Sequence, residues 1–220
     1  MEMKGIMGGL NRACEWIVRI SLLNVLWVGF TLLGLVVFGI FPATVAMFTI
    51  TRKWIQGDTE LPIVKHFWTY YRQEFLKSNL LGLILILLGV ILAIDLFFFR
   101  SLEGMMGTII FYIMVAVAFN YLVMLFYIIP VYVHYDLKLL QYIKNALIIG
   151  MSNPLHTFAM VLAIVFIYYL LQVVPAAFLF LSAAPLSLIV MHSTNGIFTK
   201  IAERKQIQES NEIELKHNEI

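Results

Sequence analysis

Four stretches of this chain are too long and too apolar to be the core elements of a soluble domain: residues 20–41, 80–99, 105–133 and 157–181. A helix needs about 20 mainly apolar residues to cross the ~30 Å hydrocarbon core of a bilayer, and each run meets that length. Residues 80–99 make the case in numbers. They hold sixteen Leu, Ile, Val or Phe side chains against one charge, Asp95. The apolar set favours insertion by about 5–10 kcal/mol, whereas a central Asp opposes it by about 3. A fifth apolar run, 185–199, has fifteen residues, which rise about 22 Å as a helix and need local thinning of the bilayer to span it. The expectation is an all-α, polytopic helical membrane protein with about five transmembrane helices, forming one membrane domain over 1–220 with a polar cytoplasmic tail over 200–220.

Composition agrees. The chain is 61% hydrophobic and 13% charged, where soluble domains run about 45–50% and about 25%. A net charge of +2 gives no electrostatic footprint for nucleic acid. Cys14 is the lone cysteine, so no disulfide closes within the chain. The first apolar run exceeds a signal-peptide h-region and is read as retained.

The distribution of the fifteen Lys and Arg residues sets an expected orientation. Arg52, Lys53, Lys65, Arg72 and Lys77 fall in one connecting stretch, Lys138 and Lys144 in a second, and Lys200, Arg204, Lys205 and Lys216 in the tail. With five spans these eleven share a side, which the positive-inside rule makes the cytoplasm. Lys4, Arg12, Arg19 and Arg100 then lie opposite, with the N-terminus outside. The apolar stretch 43–51, behind Pro42, is too short to cross as a helix of nine residues. Two amphipathic cytoplasmic stretches, 61–79 and 136–154, read as interfacial helices. In the first, Pro62 opens the helix and Phe67, Trp68, Tyr70, Tyr71 and Phe75 interleave with Lys65, Arg72 and Lys77, a composition suited to headgroups. Pro185 after Ser182 predicts a turn between the last two spans, and Pro175 lies inside the fourth.

Residues able to carry chemistry inside a membrane are few. Asp95 is the acid within a span, a default functional candidate, with pairing to Arg100 or Arg19 as the structural alternative. Asn24, Asn120 and Gln172 are amides suited to bonding between helices, and His192 lies in the fifth run. Gly82, Gly89 and Ala93 form a small-residue face for close helix approach. No H-E-x-x-H, C-x-x-C, P-loop, dinucleotide fingerprint or G-x-S-x-G occurs in the sequence, so the expectation is a protein that is not an enzyme and takes no metal or cofactor.

The opening run with Asn24, Trp27, Gly39, Pro42, Ala43, Thr44 and Trp54 resembles the YesL family of small bacterial integral membrane proteins. Phe67, Phe75, Lys77 and Asn79 fit it, as do Tyr135, Asp136, Lys144, Asn145, Ala146, Asn153 and Pro154. His134 departs from the pattern, which has Arg before the Tyr-Asp pair. The resemblance implies a multi-pass protein of the bacterial cell membrane. Its relatives are often encoded beside carbohydrate ABC transporters and have no catalytic residues to carry over. The function expected is an accessory or regulatory partner of a carbohydrate uptake system, with an ABC permease or sensor protein as partner; the alternative is a small oligomeric transporter or channel. The motif residues, with Arg52, form the expected interaction surface, and Asp136 is expected to hold Arg52 or Lys53 across it.

Overall fold

The computed structural model describes residues 6–173 and 178–218. These form helices joined by turns: α1 (Ile6–Leu33), α2 (Ile40–Ile55), α3 (Ile63–Gln73), α4 (Phe75–Arg100), α5 (Met105–His134), α6 (Leu139–Ser152), α7 (Pro154–Val173), α8 (Phe178–Leu181) and α9 (Ala183–Asn218). Among them, α4, α5, α7 and residues Gly8–Leu33 of α1 are long and apolar enough to cross a membrane. The protein is a polytopic, multi-pass α-helical membrane protein.

Residues 20–41 are not one helix, and this corrects the first expected span. α1 begins at Ile6 and stops at Leu33; a turn over 34–39 reverses the chain and α2 starts at Ile40. Pro42 does not end a span but sits in the first turn of α2, where a missing N–H leaves no helical bond unmade. The turn depends on space at two glycines. A Cβ on Gly34 would lie 2.3 Å from the Gly39 Cα, and one on Gly39 would lie 2.4 Å from the Thr31 carbonyl oxygen. Between them Leu35 and Val36 take left-handed φ values of 56° and 64°, a conformation unfavourable for a β-branched residue.

The α1–α2 hairpin corrects the charge distribution as well. Trp16 meets Trp54 edge-on at 5.5 Å, and the Trp27 Nε1–H donates to Thr44 Oγ1 at 3.0 Å. The two helices therefore run antiparallel, with the start of α1 beside the end of α2. Arg19 donates to the Thr59 carbonyl in the α2–α3 loop at 3.0 Å. Arg19 thus shares an end with Arg52 and Lys53 instead of lying opposite them. Lys4 falls outside the described residues, as does Pro175.

α2 is the hub. Residues 43–51, expected as a nine-residue stretch, belong to this 16-residue helix, which rises about 24 Å. It buries Ala43, Val45, Ala46, Met47, Phe48, Ile50, Thr51 and Trp54 and packs against α1, α3, α4, α5 and α9. α3 buries Phe67 and Tyr71 on one face and stacks them on Phe30 of α1 at 5.1 and 5.0 Å. The α4–α5 hairpin turns at Gly104, φ 101°. The small-residue face of α4 lets neighbours in: a Cβ on Gly82 would strike the Phe41 ring, and one on Gly89 would touch the Tyr121 hydroxyl at 3.0 Å.

The expected fifth run, 185–199, lies within α9, which continues through the polar tail as one helix of 36 residues. α9 is not among the helices long and apolar enough to cross. Its start is fixed from another helix. The fully buried Asn24 accepts the Ala183 and Ala184 N–H groups on Oδ1 at 2.8 and 2.9 Å and donates from Nδ2 to Ser182 Oγ at 3.2 Å. An amide from α1 thereby satisfies two of the orphan donors that any helix N-terminus carries.

Candidate functional site

A cleft of about 350 Å³, lined largely by polar and charged side chains, opens between α2, α3, α4 and the α5–α6 junction. Each wall follows from local structure. α2 presents Thr49 and Arg52 one turn apart. The α3–α4 junction presents Tyr70, Gln73, Glu74 and Lys77. The end of α5 and the extended residues after it present Tyr132, His134, Tyr135 and Asp136, and α6 contributes Tyr142.

The charges are ordered by short contacts. Lys77 Nζ donates to Asp136 Oδ1 at 3.0 Å and lies over the rings of Tyr132 and Tyr142 at 5.5 and 5.4 Å, a cation held by ring faces as well as by a carboxylate. The Tyr132 hydroxyl donates to Glu74 Oε2 at 2.6 Å. The Tyr142 hydroxyl donates to the Tyr135 carbonyl at 3.2 Å and accepts the Leu137 N–H at 3.0 Å, which pins the strand-like link carrying Asp136. Burial pushes the Tyr135 phenol above its usual pKa, so it stays protonated at neutral pH.

Arg52 differs from Lys77. Its guanidinium is half-buried and Nη1 donates to the Val133 carbonyl. Its Nε is shut from solvent with no acceptor, and no carboxylate comes within ion-pair distance; among the described residues the ion pair is Lys77–Asp136. The expected pairing of Asp136 with Arg52 or Lys53 is corrected accordingly: Lys77, from the start of α4, reaches Asp136 first, and Lys53 lies over the Tyr70 ring at 5.8 Å. His134 packs on Phe198 of α9 at 4.3 Å with the rings tilted by 31°, its Nδ1 buried and unpartnered. A buried donor or acceptor without a partner costs about 1–3 kcal/mol, so this end of the protein holds polar groups whose needs the fold leaves open.

The other predicted residues fall in three places. Asn24, Trp27, Pro42, Thr44 and Trp54 hold the α1–α2–α9 packing; the Thr44 hydroxyl also donates to the Ile40 carbonyl at 2.6 Å, and Trp54 Nε1 is buried without a partner. Asn153 and Pro154 make the α6–α7 junction. Asn153 donates to the Ile149 carbonyl at 2.9 Å, its own carbonyl accepts the Thr157 N–H at 3.1 Å, and Pro154 opens α7. Lys144 is exposed and Asn145 half-buried on α6, away from the cleft. Asp95 is half-buried in α4 and makes no hydrogen bond or ion pair with a described residue; Arg19, one expected partner, is taken by Thr59. Asn120 donates to its own helix, to the Ala116 carbonyl at 2.9 Å, and faces an apolar cleft of about 580 Å³ between α5, α6 and α7. Gln172 and His192 are exposed.

Thr49, Tyr70, Glu74, Tyr132 and Tyr142 were not foreseen as site residues. They carry no motif, and tyrosines at the end of a span read from sequence as interfacial anchors; three helices must meet before they become a wall. Because the Lys77–Asp136 pair is largely solvent-exposed, with side chains at 39% and 98%, it adds little to stability. Asp136→Asn is expected to leave the melting temperature in detergent within about 2 °C of the parent. A larger fall would show that the pair, and not ring packing, holds α4 to the α5–α6 link.

The family described as a protein of unknown function, DUF624, matches residues 20–96, from the second half of α1 through most of α4. Three proteins of Bacillus subtilis (strain 168) are similar over most of the chain. The uncharacterized protein YteU is 40% identical over 203 residues, covering 92% of this chain and 91% of YteU. The uncharacterized protein YesL is 32% identical over 201 residues, 91% of this chain and 95% of YesL. The uncharacterized protein YesV is 37% identical over 182 residues, 83% of this chain and 88% of YesV. No solved structure matches. With relatives of that identity and coverage, the chain belongs to the DUF624 family, that of YesL, a family of unknown function.

Proposed function

We propose that the protein is an accessory or regulatory membrane subunit of a carbohydrate uptake system, resident in the bacterial plasma membrane, and not itself an enzyme. The observation that supports this reading is the convergence of Arg52, Lys77, Tyr135 and Asp136 on one cleft at the end of the bundle that also carries Arg19 and Lys53. The positive-inside rule turns that end to the cytoplasm, where an ABC permease or sensor protein presents its own interfacial surface. The carbohydrate part of the reading comes from the gene neighbourhood of the resembling family, an associational warrant.

Crosslinking and purification of the tagged protein from native membranes of cells grown on a complex polysaccharide tests it. Recovery of an identified permease or sensor component, lost on Asp136→Arg, is the expected result. Preparations that never contain such a component defeat the reading. A second reading, a small oligomeric transporter or channel, draws on Asp95 and on Asn120 facing the apolar cleft. It requires flux of a sugar, proton or ion in liposomes that Asp95→Asn reduces.

A further inference from the structure

We infer that the cleft at Arg52 is a binding site for an oxyanion, a carboxylate or phosphate group carried by a small molecule or by a lipid headgroup. The inference stands apart from the accessory-subunit reading: it concerns what the cleft binds, not which protein docks beside it.

Among the described residues Arg52 has no ion-pair partner. Two cations and two carboxylates line the cleft. Lys77 is taken by Asp136; Glu74 accepts the Tyr132 hydroxyl and keeps its own charge, but among the described residues no ion pair joins it to Arg52. That leaves Arg52, half out of water, with one hydrogen bond to a carbonyl and none to an anion. A guanidinium is weakly hydrated and presents N–H groups in a planar fork that matches the paired oxygens of carboxylate and phosphate. A fold that only needed to pack α2 against α5 would be served by an apolar residue, because removing a charge from water without a counter-charge is unfavourable. Here Arg52 lines a cleft of about 350 Å³, near the lower limit for small-molecule sites. Tyr70, Tyr132 and Tyr135 also line it.

The test uses the full chain in nanodiscs of neutral lipid. Inorganic phosphate and glycerol phosphate are titrated by calorimetry against chloride at matched ionic strength. In a second arm the nanodiscs contain phosphatidylglycerol, and retained lipid is counted by native mass spectrometry. Saturable binding of a soluble phosphate assigns the site to a free anion; retention of phosphatidylglycerol alone assigns it to a headgroup. In either case Arg52→Gln is expected to weaken binding at least about tenfold, the scale of one charge-assisted contact, while Lys65→Gln, on the exposed face of α3, leaves it unchanged. Thr49→Glu guards against a folding defect. It sets a carboxylate one turn before an intact Arg52, and is expected to abolish binding while raising the melting temperature. No saturable binding in either arm, or binding by Thr49→Glu equal to the parent, overturns the proposal.

Discussion

Gly39→Ala is expected to be among the most damaging single-methyl changes in the protein, destabilising it by about 3 kcal/mol, the upper end for overpacking. The reason is space and not backbone freedom. Gly39 has φ −89° and ψ −32°, a conformation open to any residue. Its missing Cβ, however, would lie 2.4 Å from the Thr31 oxygen, 2.8 Å from the Phe30 oxygen and 2.9 Å from the Thr31 carbonyl carbon. All three are backbone atoms at the end of α1, so no side-chain rotamer can relieve the clash. Thermal unfolding in detergent, followed by circular dichroism, should show the midpoint lowered by roughly 10 °C. Gly34→Ala should do the same, since its Cβ would strike the Gly39 Cα at 2.3 Å. Val36→Gly is the contrasting variant. Val36 has φ 64°, so a glycine relieves strain, and no loss is expected. Equal melting points for Gly39→Ala and the parent would show that α1 and α2 are not joined by this tight turn.

Asn24→Ala should cost about 2–6 kcal/mol, from the Ala183 and Ala184 N–H groups losing their acceptor at about 1–3 each. Ala183 and Ala184 both donate to Asn24 Oδ1, and Asn24 is fully buried, so water cannot replace the lost oxygen. The damage should also be local. α9 hangs from this contact at its first turn, so hydrogen exchange in the first turns of α9 should accelerate more than in the α4–α5 hairpin. Asn24→Asp keeps the acceptors at a helix N-terminus, where negative charge is favoured, and should lose less. If Asp and Ala prove equally destabilising, the helix-capping role is wrong and Asn24 acts by shape.

The sequence was decisive where the physics is additive. Hydropathy summed over twenty residues placed α4 and α5, because each Leu or Ile contributes independently of its neighbours, and it made the protein an all-α membrane protein. Residues 34–39 show where summation ends. They read Gly-Leu-Val-Val-Phe-Gly, as apolar as the helices on either side, and the reversal there rests on two Cβ atoms being absent within a few ångströms of other backbone. That is a pairwise distance, invisible to any average, and missing it put Arg19 on the wrong side of the expected topology. Asn24 was legible as an amide in search of a partner, though not as the cap of a helix that begins 159 residues later.

The candidate site divides in the same way. The resemblance marked Lys77, Tyr135 and Asp136 individually, but which cation holds Asp136 depended on where α4 enters the bundle relative to α2. Lys77 won because it arrives at 3.0 Å over two tyrosine rings, and this left Arg52 without a counter-charge. Composition and hydropathy alone therefore determined the solvent of this protein, lipid, and the secondary structure that solvent permits. Tertiary structure alone decided the α1–α2 reversal, the common end of the basic residues and the unmatched guanidinium, because these are set by contacts between segments far apart in the chain, whose distances no local run of residues encodes.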